Sequence, residues 1–186
     1  PDASKLAVSY LIVNSGSMQS RIVFYDFSDV EGDHLLDTQE LEGLYPKAAF
    51  LDSREVVLFG EKGFVLYQAD SKKIETQENF ESEINSVFCT DQELGFIFKN
   101  EDDNGKYRME IYNKAGKKSS TYYFDLDYSG LTADDDEVIL YNDEEMLIYQ
   151  MGGRVRFRGT FNTAVTGVMP SWEDGLYWLI DDQSLR

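Results

Sequence analysis

The chain has 186 residues, 42% of them apolar and 14% aromatic, which is enough to bury a core and too apolar for wholesale disorder. Its 35 acidic residues against 17 basic ones set the formal charge at −18. That balance disfavours nucleic acid and anionic lipid, both of which require basic patches, and is read as solubility through self-repulsion, with a cation-binding or basic-partner role as the alternative. Cys89 is the single cysteine, so no intrachain disulfide or thiolate cluster can form; beside Val87 and Phe88 it is expected to be buried and inert. No run of about 18 apolar residues and no secretory leader occurs within these residues.

Taken in chain order, the apolar runs come in pairs. The first run of each pair, strand B, covers residues 6–13, 56–60, 94–98 and 138–141, with a fifth at 176–180. The second, strand C, ends in tyrosine and a polar residue: Ile22-Val23-Phe24-Tyr25-Asp26, Phe64-Val65-Leu66-Tyr67-Gln68, Met109-Glu110-Ile111-Tyr112-Asn113 and Met146-Leu147-Ile148-Tyr149-Gln150. Short runs rich in Val, Ile, Phe and Tyr between turn residues read as strands. The B–C turns lie at residues 14–16, 61–63, 100–105 and 142–144, with another at Asp181-Asp182. A strand D follows each C, at 36–41, 73–77, 120–124 and 155–161, and a strand A precedes the later B strands, at 48–51, 84–88, 128–131 and 165–169.

The tyrosines Tyr25, Tyr67, Tyr112 and Tyr149 are 42, 45 and 37 residues apart. A strand-rich period of about 40–50 residues marks propeller blades. The fold class is therefore all-β: a β-propeller-like array of four-stranded antiparallel blades, partial, with about four to five blades. The expected blades are 1–43 (strands B–D), 44–80, 81–125, 126–162 and 163–186 (strands A–B), incomplete at both ends, so that the chain reads as one domain or the C-terminal part of a larger one. The tyrosines alternate with apolar residues and are expected to pack between blades.

Candidate chemistry is sparse. Asp134-Asp135-Asp136-Glu137 is an A–B turn and Asp143-Glu144-Glu145 a B–C turn, so they fall at opposite strand ends and cannot form a catalytic carboxylate pair. The loop Asn100-Glu101-Asp102-Asp103-Asn104-Gly105 matches half of a calcium loop, with Asn100, Asp102 and Asn104 at alternating ligand positions; Ile111 stands where a bidentate glutamate is needed. A solvated hairpin is the default reading, and a weak Ca²⁺ site on these three residues the alternative. No other cofactor is expected. Along Arg154-Val155-Arg156-Phe157-Arg158 the alternation predicts three arginines on one face of an outer strand, guarding an edge or contacting a partner. Trp172, in an A–B turn, is expected to pack over the blade end, with a sugar-stacking platform as the alternative. His34, the only histidine, reads as a surface-loop residue, and no nucleophile elbow accompanies it.

Three resemblances follow from these motifs. Pro1-Asp2-Ala3-Ser4-Lys5-Leu6-Ala7 resembles the A–B turn of WD-repeat and TolB-like propellers. Gly63-Phe64-Val65-Leu66-Tyr67 and Ala115-Gly116-Lys117 are more weakly similar to quinoprotein-type repeats, but the outer-strand tryptophan of those repeats is absent. The spacing, the tyrosine strands and Ile180-Asp181-Asp182 resemble, over the whole chain, an uncharacterised family of propeller-like cell-envelope proteins of Gram-positive anaerobes. That resemblance implies an N-terminal membrane anchor and further blades outside these residues, an extracytoplasmic location, and no known activity. The expected function is a non-catalytic binding or scaffold domain with a protein or glycan partner and no direct membrane contact by this segment. The alternative is part of a propeller enzyme, hydrolase or quinoprotein-like, whose site draws on other blades.

Overall fold

The computed structural model describes residues 4–14, 16–29 and 31–181. Pro1 to Ala3 of the opening turn, Ser15 in the first B–C turn, Val30 in the loop before His34, and Asp182 to Arg186 lie outside the described residues. Every regular element among the described residues is a β-strand. The first sheet holds β1 (Lys5–Asn14), β2 (Ser17–Asp26) and β3 (Leu35–Glu42); the second holds β4 (Lys47–Phe50), β5 (Glu55–Phe59), β6 (Gly63–Gln68) and β7 (Lys73–Asn79). The third holds β8 (Ile84–Cys89), β9 (Glu93–Lys99), β10 (Tyr107–Asn113) and β11 (Lys118–Phe124). The fourth holds β12 (Gly130–Ala133), β13 (Glu137–Tyr141), β14 (Glu145–Gln150) and β15 (Arg154–Thr160), and the fifth the pair β16 (Val165–Pro170) and β17 (Tyr177–Asp181). In each sheet the strands lie side by side in chain order, the meander of a propeller-like array. The A strand of the fourth sheet starts at Gly130 rather than Tyr128, whose ring packs on Tyr107 and Phe124.

Burial follows strand position. β5 and β6 are buried along nearly their whole length, as expected of continuous apolar runs covered on both faces. The outermost strands β7 and β15 are exposed along most of theirs. Cys89, at the end of β8, is half-exposed rather than buried: the alternation gives the interior to Phe88.

The chain divides into two compact units, one reaching to Val87 and including Asn113–Lys117, the other running from Phe88 to Tyr112 and from Lys118 onward. In the first unit Ile22 and Phe24 of the first sheet pack on Val56, Leu58, Val65 and Tyr67 of the second. In the second unit Ile97, Met109, Ile111 and Phe124 pack on Val138, Leu140, Leu147 and Tyr149. The opposite face of the fourth sheet, with Ile139, Met146 and Ile148, covers Val165 and Val168 of the fifth.

Each tyrosine marks a break in pairing. The C–D register shifts between Phe24 and Tyr25, Leu66 and Tyr67, Ile111 and Tyr112, and Ile148 and Tyr149. One residue of strand D is left unmatched each time: Leu36, Glu75, Ser119 or Arg156. Such a β-bulge bends the strand and re-aims the side chain at the extra residue. Two tyrosines do pack between sheets as expected. Tyr67 stacks on Phe24 at 4.0 Å and donates its hydroxyl to Asp37 Oδ2 of β3 at 2.6 Å; Tyr149 donates to the Tyr123 carbonyl of β11 at 3.0 Å.

The links from strand D to the next strand A repeat as well. The amides of Phe80 and Ile84 donate to the Lys62 and Glu61 carbonyls, at 2.6 and 2.9 Å, and those of Phe161 and Val165 to the Glu144 and Asp143 carbonyls, at 2.7 and 3.2 Å. Both latches close on the turn between strands B and C.

Candidate binding site

The A–B turns of the second, third and fourth sheets share one device. Asp52 Oδ1 accepts the amides of Arg54 and Glu55 at 2.7 and 2.9 Å, and Asp134 Oδ1 those of Asp136 and Glu137, both at 2.9 Å. Thr90 Oγ1 does the same for Gln92 and Glu93, at 3.2 and 3.1 Å. Side-chain acceptors of this kind tighten a turn by satisfying its free amides. Each of these turns delivers a glutamate as the first residue of strand B: Glu55, Glu93 or Glu137.

In the second unit Glu137 is the centre of a network. Its side chain is 5% exposed and takes Arg156 Nη1 at 2.8 Å, while the Tyr177 hydroxyl donates to the same Oε2 at 2.9 Å. Arg156 reaches it because it is the bulge residue of β15, and its Nη2 continues to Asp174 Oδ1 at 2.8 Å. The Arg156 hydrogen bond holds Asp174 below the usual carboxylate range. Burial, with the bond to Glu137, pushes the Tyr177 hydroxyl up to about 12. A guanidinium shared between two carboxylates is a structural clamp.

Beside this clamp the last A–B turn, closed by Ser171 N–H to the Leu176 carbonyl at 2.9 Å, lifts Trp172 into solvent. Trp172 is 81% exposed and its ring centroid is 5.4 Å from that of Trp178 on β17, itself half exposed. The expected packing of Trp172 over the blade end is therefore not what the structure shows: its only ring neighbour among the described residues is another exposed tryptophan. A cavity of about 210 Å³ opens between Trp172, Leu176, Asp134, Asp136, Glu173 and the Arg156 clamp. Among the described residues Asp136 and Glu173 have no ion-pair partner, and both are exposed.

The other sequence candidates do not converge on this site. The bulge breaks the alternation expected of β15: Arg154 lies opposite Gln150 and Arg158 opposite Leu147, three positions apart on β14 and so on opposite faces. Arg156 is committed to the clamp, Arg158 approaches Glu145 Oε2 at 3.5 Å, and Val155 and Phe157 are exposed. In the loop after β9, Asn100 uses its amide nitrogen to close the hairpin on the Asp102 and Gly105 carbonyls, at 3.1 and 2.9 Å, while Asp102 and Asn104 point to solvent. His34 is half-buried, tilted against Phe27 with Nδ1 3.3 Å from the Asp26 carbonyl oxygen. Sequence reasoning missed Glu137, Asp174 and Tyr177. The recurring pattern of Asp or Thr followed three residues later by Glu was the signal available for the first.

A family profile, described as "Family of unknown function (DUF5711)", matches residues 1–186. The chain belongs to that family. No curated protein matches this DUF5711 chain. Among solved structures it is similar to BBS1N in complex with ARL6DN, at 10% identity and TM-score 0.56, covering 91% of this chain and 59% of that one. It is also similar to Sqt1 of Saccharomyces cerevisiae, at 12% identity and TM-score 0.57, covering 92% and 53%. A structure described as the eukaryotic initiation factor matches at 12% identity and TM-score 0.58, covering 88% and 42%. The DUF5711 chain thus spans about half the length of these propeller-type domains, and at such identities the likeness shows the fold alone.

Proposed function

We propose that this chain is a non-catalytic binding or scaffold part of a propeller in a cell-envelope protein, held outside the cytoplasm by a membrane anchor elsewhere in the polypeptide, and that it presents a loop end to a protein or glycan partner. The observation that carries this reading is the pair Trp172 and Trp178, a large aromatic surface left open to water at the A–B end of the fifth sheet. Exposed tryptophans next to a rimmed cavity are the usual material of binding hot spots. The structurally similar BBS1N, solved as a complex with ARL6DN, supports the same use of the fold by analogy. The envelope location rests on the family likeness read from the tyrosine strands.

Co-sedimentation of the purified chain with envelope fractions from a Gram-positive anaerobe tests the reading. The wild-type chain is expected to pellet with the fraction and the Trp172→Ala, Trp178→Ala double variant to stay in solution. Equal pelleting of both, or pelleting of neither, counts against it.

A further inference from the structure

We infer that the tryptophan face of the fifth sheet docks a basic segment of a protein partner, with one lysine or arginine side chain seated in the cavity between Trp172 and the carboxylates of Asp136 and Glu173. This deepens the binding reading above and rests on it. Shape comes first: the exposed Trp172 and Leu176 line one side of the cavity, and the exposed ring of Trp178 stands beside that of Trp172. Charge decides the occupant. Five carboxylates, on Asp134, Asp136, Glu137, Glu173 and Asp174, border the cavity against one guanidinium. That guanidinium is already divided between Glu137 and Asp174, which leaves Asp136 and Glu173 to act on whatever enters. An exposed indole attracts a cation over its face, more strongly than any other side-chain ring. The same place therefore offers a ring face and two uncompensated carboxylates to one positive charge. The formal charge of −18 on the whole chain adds long-range attraction for a basic partner and repulsion for an acidic one. The long methylene stem of lysine or arginine can lie along the apolar wall while its head meets the acids.

The two tryptophans of the chain are both in this face, so intrinsic tryptophan fluorescence reads this site and no other. The 186-residue chain is titrated with three probes: a heptapeptide of alternating lysine and threonine, its glutamate counterpart, and a neutral maltoheptaose. The lysine peptide is expected to change the emission saturably, with affinity falling at least about tenfold as NaCl is raised from about 0.05 M to about 0.5 M. Anisotropy of a labelled lysine peptide then measures variants. Trp172→Ala, and separately Asp136→Asn with Glu173→Gln, should each weaken binding about tenfold or more. The triple variant Glu81→Gln, Glu101→Gln, Asp103→Asn, which removes more charge at exposed positions elsewhere, should bind as the wild type does.

Four results overturn the inference. If the triple variant loses as much affinity as the site variants, the attraction is diffuse. If maltoheptaose alone changes the emission, the face is a glycan platform, and the broader binding reading survives while this one falls. If the emission changes on dilution alongside a dimer mass, a second copy occupies the face. If no probe acts, the basic-partner reading is lost, and envelope co-sedimentation shows separately whether the binding reading is lost with it.

Discussion

The second and fourth sheets are two copies of one blade, and setting them side by side separates what the repeat prescribes from what each copy does with it. Both open strand B with a glutamate delivered by an aspartate-capped turn, Glu55 and Glu137. Both carry the tyrosine at the bulge, Tyr67 and Tyr149, and both leave one strand-D residue unmatched, Glu75 and Arg156. The backbone solution is the same and the electrostatic one is opposite. Arg156 compensates Glu137 through a 2.8 Å ion pair. Glu55 is held above the ordinary carboxylate range by burial, with Asp52 and Glu75 adding repulsion and Lys114 only partly opposing it. Geometry is inherited along the repeat; the charge at each equivalent place is free to specialise.

The largest predicted effect tests the first residue of strand C. A Cβ on Gly63 would stand 2.2 Å from the Glu78 carbonyl oxygen, a backbone atom that cannot swing away, so Gly63→Ala is expected to cost about 2–3 kcal/mol. Glu145 occupies the same place in the fourth sheet, and Glu145→Ala should cost no more than about 0.5 kcal/mol. Urea denaturation of both variants measures the gap, and equal losses would break the equivalence. Next in size is Tyr67→Phe, which removes a bond to a carboxylate and should cost about 1.5–2 kcal/mol. Tyr149→Phe removes a bond to a neutral carbonyl and should cost about 1 kcal/mol. The ranking, read from thermal melts, fails if the fourth-sheet variant is the more damaged.

The smallest effects concern the glutamates and have opposite signs. Glu55→Gln should stabilise the chain at neutral pH by up to about 1 kcal/mol, since it removes a charge the fold disfavours. Glu137→Gln should destabilise it by about 1 kcal/mol. Titration sharpens the same contrast within the first unit. With its folded pKa raised, Glu55 binds its proton more tightly in the native state, so its contribution declines as pH rises from 4.5 through the folded value. Asp37 is different: burial opposes the shift, but the bonds from Tyr67 and Gln39 hold it below 3.8, so its contribution is present above that value and lost on further acidification. Melting temperature against pH for wild type, Glu55→Gln and Tyr67→Phe resolves the two slopes; an unchanged upper slope in Glu55→Gln would remove the first assignment.

The strands were legible because apolar runs bounded by Gly, Asn and Asp turns are local signals, and four tyrosines supplied the period. The bulges were not, since a register shift depends on how strand D meets strand C, and the tyrosine that accompanies each one does not by itself announce it. That one omission accounts for the arginines: alternation from Arg154 to Arg158 predicts a common face, and the unmatched Arg156 reverses it. Trp172 failed for a related reason. A tryptophan after Pro170-Ser171 carries a strong prior for packing, and only the turn from Ser171 to Leu176 shows the ring directed outward. Glu137 was visible as an acidic turn residue, but its partners come from β15 and from the fifth sheet, separated from it by 19 and 40 residues.

The paired latches that tie the strand-D exits of the second and fourth sheets to the turn beside strand C use only amide hydrogens and carbonyl oxygens, with acceptors in residues as unlike as Lys62 in one copy and Glu144 in the other. Because no side chain carries that bond, almost any substitution there leaves it intact. A lineage built this way can rewrite its letters nearly completely and keep its architecture, and relatives in such a lineage will be recognised by shape long after they have stopped being recognisable by spelling.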